Sequence, residues 1–135
     1  MSTKSKINKQ SQKPVWFITG CSTGFGRQIA THVLELGYRV VVTSRDPEDV
    51  QDLTELGDAL VLKLDVTDRS QAEAAVKAAE DHYGGIDVLV NNAGIGYFAA
   101  VEESSETEVR KMFDVNVFGL SRMIHLALPG MRKRR

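Results

Sequence analysis

Three glycines carry the first suggestion of chemistry in this 135-residue chain: Gly20, Gly24 and Gly26, in the turn Thr19-Gly20-Cys21-Ser22-Thr23-Gly24-Phe25-Gly26. The apolar run Val15-Trp16-Phe17-Ile18-Thr19 precedes them. Ile29, Ala30, Val33, Leu34 and Leu36 follow at helical spacing. A strand passing through such a turn into a helix suits an anion, because the first helical N–H groups lack partners and carry the positive end of the helix dipole. Gly20 permits a tight exit from the strand, Gly24 lets backbone approach a pyrophosphate, and Gly26 lets the helix lie close on the sheet. Ser22 and Thr23 add hydroxyl donors, and Phe25 lies within the same cradle. A glycine-containing loop with no ligand has the same composition; the strand–turn–helix context is what favours a nucleotide. The spacing is Gly-x3-Gly-x-Gly, which departs from the Gly-x-Gly-x-x-Gly of the commonest dinucleotide fingerprint.

Other candidates fall at strand ends. A carboxylate closing the second strand would accept bonds from a ribose 2'-hydroxyl and select NAD, whereas an arginine accommodates a 2'-phosphate. Ser44 and Arg45 stand there, favouring NADP over NAD, since a guanidinium makes bidentate phosphate contacts and stacks on a base. Asp46 argues the other way, although Asp46-Pro47 reads better as a helix cap. Asp65 and Val66 close the third strand, where Asp65 competes as a plain turn residue before Thr67. Asn91-Asn92-Ala93-Gly94 follows the fourth, and Asn and Gly also suit an ordinary turn. Asn116 is polar in mid-helix, in line with Met112 and Leu120 at i±4, so it is expected to face a buried side and to need partners. Cys21 reads as a small loop side chain, with no His or Asp placed to activate it. His32, His82 and His125 are scattered on helices, so no metal site is expected.

The elements that position these residues alternate. Strands are expected at 15–19, 39–44, 60–64 and 86–90. A helix spans 28–36 and ends at Gly37, another runs from Asp46-Pro47 to Gly57, and a third runs from a Thr67 or Asp68 cap to Tyr83 and closes on Gly84-Gly85. Ser105-Glu106-Thr107-Glu108 has the form of a capping box. It opens a long helix striped by Val109, Phe113, Val117, Leu120, Ile124 and Leu128, which Pro129-Gly130 should kink or end. This pattern implies α/β architecture: a Rossmann-type parallel sheet in the order 3-2-1-4, with helices on both faces and a crevice where the winding reverses. The glycine turn and the Asn92 turn both fall at that crevice.

Hydrophobic residues make up 42% and charged residues 26%, as in an ordinary soluble domain. A net charge of -1 predicts no strong attraction to nucleic acid or anionic membrane. No apolar run reaches the ~20 residues that span a bilayer. With one cysteine and no apolar leader, the expected setting is cytoplasmic. Residues 1–13 read as a disordered basic arm and 14–135 as one domain. The closing Arg132-Lys133-Arg134-Arg135 suits a helix C-terminus.

Four motifs in register, Thr-Gly-x3-Gly-x-Gly, Asp65-Val66, Asn91-Asn92-Ala93-Gly94 and Asp114-Val115-Asn116-Val117-Phe118-Gly119, give a chain that resembles the short-chain dehydrogenase/reductase family over residues 14 to 135. The resemblance implies an NADP-dependent oxidoreductase that moves hydride between the nicotinamide and a small-molecule carbonyl/alcohol pair. It implies that Asp65 bonds the adenine amino group, with the Val66 N–H on a ring nitrogen. The backbone of Asn92, Ala93 and Gly94 would lie along the cofactor, an asparagine there would pin the central strands, and Asn116 would hold a water in the catalytic proton relay. The family's catalytic serine, tyrosine and lysine are expected beyond Arg135. No Tyr-x-x-x-Lys occurs here, since Tyr38, Tyr83 and Tyr97 have no lysine at that spacing. The expectation is therefore a truncated form, with an incomplete Rossmann domain, an unpaired fourth strand and a partly exposed stripe on helix 105–130. In the family that helix forms a dimer interface, so homo-oligomers are possible through it. The alternative is a non-catalytic dinucleotide-binding module. The substrate is not legible.

Overall fold

The structure is a computed structural model that describes residues 13–135. The arm expected over 1–13 lies, apart from Lys13, outside the described residues.

Short, largely apolar runs form four strands: β1 (Val15–Ile18), β2 (Arg39–Ser44), β3 (Ala59–Lys63) and β4 (Val88–Val90). All pair in parallel in the order β3-β2-β1-β4, with Phe17 level with Val41 and Leu89. Alternation along the strands divides the core in two. Val15, Phe17 and Val41 face Ala72, Ala75, Val76 and Ala79 of helix α2 (Arg69–Tyr83), together with Met123 and Ala127 of helix α4 (Leu120–Arg134). Ile18, Val40 and Val42 face Ala30, Val33 and Leu34 of helix α1 (Gly24–Glu35), together with Val50 and Leu53 of the segment Pro47–Glu55. Helix α3 (Glu106–Phe113) leads into α4.

Several boundaries differ from the sequence reading, each for a local reason. Helix α1 starts at Gly24 rather than Gln28, because close packing of Gly26 outweighs the poor helix propensity of glycine. The segment after Asp46 is a 3₁₀ helix ending at Glu55, although Asp46 does cap it by accepting from the Glu48 N–H at 3.1 Å. Of the two expected caps of α2 it is Asp68 that accepts from the Gln71 N–H, and Gly84 closes that helix as expected, at φ +85°. Strand β3 lies one residue earlier than expected, and β4 lacks Ile86 and Asp87. Asp87 instead brackets Val15: its N–H donates to the Val15 carbonyl and its carboxylate accepts from the Val15 N–H. The capping box at Ser105 is half made. Its hydroxyl accepts from Glu108, while the Ser105 N–H donates to the Tyr97 hydroxyl at 2.9 Å.

Two corrections concern the long helix. Pro129-Gly130 does not end it; α4 continues to Arg134. Pro129 lies on the exposed face, and Arg134 ties the last turn to the Gly130 and Ile86 carbonyls. The irregularity falls upstream instead, where Asp114–Gly119 winds as a π-helix. That wider turn breaks the i±4 line through Asn116: Leu120 faces solvent rather than the core. Beyond it the helix has two faces. Gly119, Met123 and Ala127 are buried, while Phe113, Val117, Leu120, Ile124 and Leu128 of the expected stripe remain exposed, and Phe118 with them.

Candidate nucleotide-binding site

The site begins with two buried threonines at strand ends, Thr19 and Thr43. The Thr43 hydroxyl donates to the Ile18 carbonyl at 2.9 Å, and its own carbonyl accepts from the Cys21 N–H at 2.8 Å. The Thr19 hydroxyl accepts from the N–H groups of both Asn92 and Ala93, at 3.0 and 2.9 Å. The Asn92 side-chain amide then donates to the carbonyls of Thr19 and Gly20, at 3.1 and 2.9 Å. The turn after β1 is thus fastened to β2 on one side and to the turn after β4 on the other. In the sequence Thr19 stands out only as part of the turn, and Thr43 only as one residue of the 39–44 strand. The available signal was a threonine closing two apolar strands of the same edge.

Each glycine has a distinct steric reason. Gly20 adopts φ +69°, and a Cβ there would lie 3.0 Å from the Ala93 Cα. Gly26 lies against the Gly20 carbonyl and the Asn92 amide, where no side chain fits. Gly24 adopts φ +60° with nothing within 4 Å of a Cβ position, so open space stands in front of it. Thr23, the N-cap of α1, makes no side-chain cap, which leaves the first helical N–H groups without that partner. Behind this front, Cys21 is fully buried and donates to the Ile18 carbonyl. Burial raises its thiol to about 11, so it stays protonated at neutral pH and is no nucleophile.

These turns open onto one cleft of about 840 Å³, within the range of small-molecule and cofactor pockets. Gly20, Ser22, Thr23, Gly24, Phe25, Ser44, Arg45, Asp65, Val66, Asn92, Ala93 and Gly94 all line it, so the structure brings together the sequence candidates with two exceptions. Gly26 is one layer behind, packing the helix. Asn116 is also behind the wall: its amide accepts from the Ile95 N–H at 2.8 Å and donates to the Ile95 carbonyl at 2.7 Å. Its partners are therefore loop backbone rather than helix groups, reached from within the π-turn. Phe25 is 83% exposed beside the cleft.

At the β2 end, Ser44 is buried and its hydroxyl accepts from the Asp46 N–H, while Arg45 is exposed. One oxygen of the Asp46 carboxylate is taken by its cap, and Asp46 and Asp49 both line the cleft beside Arg45. At the β3 end, one Asp65 carboxylate oxygen takes both the N–H and the hydroxyl of Thr67, at 3.0 and 2.7 Å. Asp65 is therefore a turn residue and a cleft residue at once. Lys111, Asp114 and Val115 close the cleft from α3 and the π-turn. Their approach depends on the 91–105 loop, whose path the sequence pattern did not reveal. Among the described residues no His/Cys/Asp/Glu group is arranged for a metal ion, and no helix is long and apolar enough to cross a membrane.

The open glycine cradle, the helix N-terminus and the acceptor and donor groups of the β2 and β3 turns fit a dinucleotide laid across the carboxyl edge of the sheet. Comparisons with known proteins agree with that geometry. Oxidoreductase calM of Penicillium decumbens is 42% identical over 134 residues, covering 96% of this chain and 44% of the relative. A short-chain dehydrogenase from Streptomyces avermitilis superposes with a TM-score of 0.87 at 40% identity, over 91% of this chain and 46% of that one. An alcohol dehydrogenase from the archaeon Thermococcus sibiricus, complexed with 5-hydroxy-NADP, gives a TM-score of 0.86 at 31% identity, over 90% and 55%. The chain thus spans about half the length of the relatives it matches. The short chain dehydrogenase model itself matches residues 14–135, and the chain belongs to that family of oxidoreductases.

Proposed function

We propose that this chain is the NADP(H)-holding half of an oxidoreductase that interconverts a carbonyl and an alcohol. The observation that carries the reading is the β2 end of the cleft. There Arg45 is exposed at the rim, free to meet a 2'-phosphate, while Asp46 turns one carboxylate oxygen to capping the next segment. One solved relative is bound to an NADP derivative and another to NADH, so the choice rests on Arg45.

In this reading the bound cofactor supplies or accepts the hydride. The protein's part is binding and orientation. The N–H groups at Gly24 to Gly26 and the hydroxyls of Ser22 and Thr23 hold the pyrophosphate, and Arg45 holds the 2'-phosphate. Asp65 and Val66 hold the adenine, and Asn92, Ala93 and Gly94 present backbone along the cofactor's length. Asn116 fixes the Ile95 backbone on both its N–H and its carbonyl, and through it the wall of the site. With no Tyr-x-x-x-Lys in its sequence, the 135-residue chain binds cofactor but does not turn over by itself. A serine, a tyrosine and a lysine supplied from further polypeptide would complete it. The exposed face of α4 is proposed to be covered by that further polypeptide or by a second copy, in a cytoplasmic setting. The test is calorimetric titration of the chain with NADPH and NADH. Tighter binding of NADPH, without oxidation when carbonyl compounds are added, is expected. Equal or stronger binding of NADH would overturn the NADP assignment, and binding of neither would overturn the reading of the cleft.

A further inference from the structure

Arg122, in the first turn of α4, is part-buried and donates from Nη1 to the Val66 carbonyl at 2.6 Å, across 56 positions of sequence. Its Nε is buried with no partner, and Arg122 joins none of the ion pairs found among the described residues. A cation held under those terms is poorly explained by stability, because an apolar side chain of similar size would fill the space without a desolvation cost. The approach itself is deliberate. Gly119, one turn earlier, carries no side chain, and a Cβ there would lie 2.6 Å from a Val66 methyl group. The helix therefore comes down directly onto the β3 turn and sets a guanidinium on its carbonyl.

That turn is gripped at each peptide. The Asp65 N–H donates to the Gln71 side chain at 2.9 Å. The peptide between Val66 and Thr67 is fixed at its oxygen by Arg122 and at its N–H by the Asp65 carboxylate. Two groups remain without a partner among the described residues: the second carboxylate oxygen of Asp65 and the Val66 N–H, both on residues that line the cleft. Side by side, an acceptor and a donor match the 6-amino group and N1 of adenine. They oppose hypoxanthine, which presents an oxygen and an N–H in the reverse order.

We infer that Arg122 is a positioning residue for base selection: by holding the Val66–Thr67 peptide it fixes the adjoining Val66 N–H so that the turn reads adenine. The inference rests on the cofactor reading given above, and the experiment separates the two. The full chain and its Arg122→Met variant are titrated with NADPH and with the reduced nicotinamide hypoxanthine dinucleotide phosphate. The unaltered chain should prefer the adenine form by about tenfold. Arg122→Met should bring that preference to about twofold or less and should speed amide exchange at Thr67, whose peptide loses one of its two anchors. Arg122→Lys, which keeps the charge and most of the stem, should give an intermediate preference and serves if the Met variant does not fold. A variant that weakens both dinucleotides equally, or neither, would overturn the inference and leave the cofactor reading intact. Failure of the unaltered chain to bind either dinucleotide would overturn the cofactor reading first.

Discussion

The two ends of the sheet use similar residues to opposite ends. At the amino edge, most of the polar groups are closed on one another, although the buried Trp16 Nε1 has no partner among the described residues. The Tyr83 hydroxyl donates to Asp58 at 2.8 Å, and Arg39 donates to the Lys13 and Tyr83 carbonyls while lying 5.6 Å over the Tyr83 ring. Lys13 caps the Leu36 carbonyl and stands 5.1 Å over Tyr38, which packs edge-on against Trp16. At the carboxyl edge, the fastening runs behind the turns, through Thr19, Thr43 and Asn92, and the front is left open. Thr23 caps nothing, Gly24 faces empty space and Arg45 is exposed. What separates scaffold from site is therefore whether the polar groups already have partners, not which residues are present.

The comparison is broken most severely by closing the open edge from behind. A Cβ at Gly26 would run into the Gly20 carbonyl and the Asn92 amide, neither of which can move without shifting the turn. Gly26→Ala is expected to cost about 3 kcal/mol of stability. The displaced turn should lower NADPH affinity on the order of a hundredfold; thermal denaturation and calorimetry read the two effects. Asn92→Ala is the next largest. It leaves the Thr19 and Gly20 carbonyls without their donor and should cost about 2 kcal/mol in a denaturant titration, with NADPH binding reduced about tenfold. An Asn92→Ala chain as stable as the original would show that the two turns are held by their backbones alone.

How far these roles were visible in the sequence depends on the range of the interaction. The glycine spacing, the apolar strands and the caps at Asp46 and Ser105 are local and period-driven, so the strand order and most of the cleft lining followed from them. Asn116 was conspicuous as a polar residue in a helix, but its partner, Ile95, comes from a loop with no periodicity and is reached from within a π-turn. Pro129 misled for a related reason. Local propensity predicts a kink or a stop, while α4 continues to Arg134, whose guanidinium bonds the distant Ile86 carbonyl. Thr43 and Arg122 are the extreme cases, since what makes them matter is another strand or helix whose approach no local pattern specifies.

The comparison is sharpened at Arg45, where the open edge meets its proposed ligand. Removing a charge-assisted bond to the 2'-phosphate by Arg45→Ala should weaken NADPH by about ten- to thirtyfold. NADH, which has no phosphate there, should bind as before, and stability should stay within about 0.5 kcal/mol because Arg45 is exposed at a strand end. Equal weakening of both dinucleotides would mean that Arg45 acts on the turn rather than on the phosphate.

The smallest effect is expected at the closed edge, and it carries a pH signature. Burial, followed by the bond to Asp58, raises the Tyr83 hydroxyl well above the ordinary tyrosine value of about 10. The folded form thus keeps a proton that the unfolded chain releases above that value. The stabilisation is complete below pH ~10 and drains away as pH climbs beyond it. Cys21, raised to about 11 by its own burial, adds to the same alkaline loss from about pH 9 upward. Tyr83→Phe should cost about 1 kcal/mol at neutral pH by leaving Asp58 without its donor, with NADPH affinity unchanged because the substitution lies at the far edge of the sheet. Above pH 10 the melting temperature of the Phe variant should fall less steeply than that of the original chain, and the decline that remains should be the part due to Cys21. Parallel alkaline declines in the two proteins would show that the Tyr83 hydroxyl is not held closed, and that the amino edge is as open as the carboxyl one.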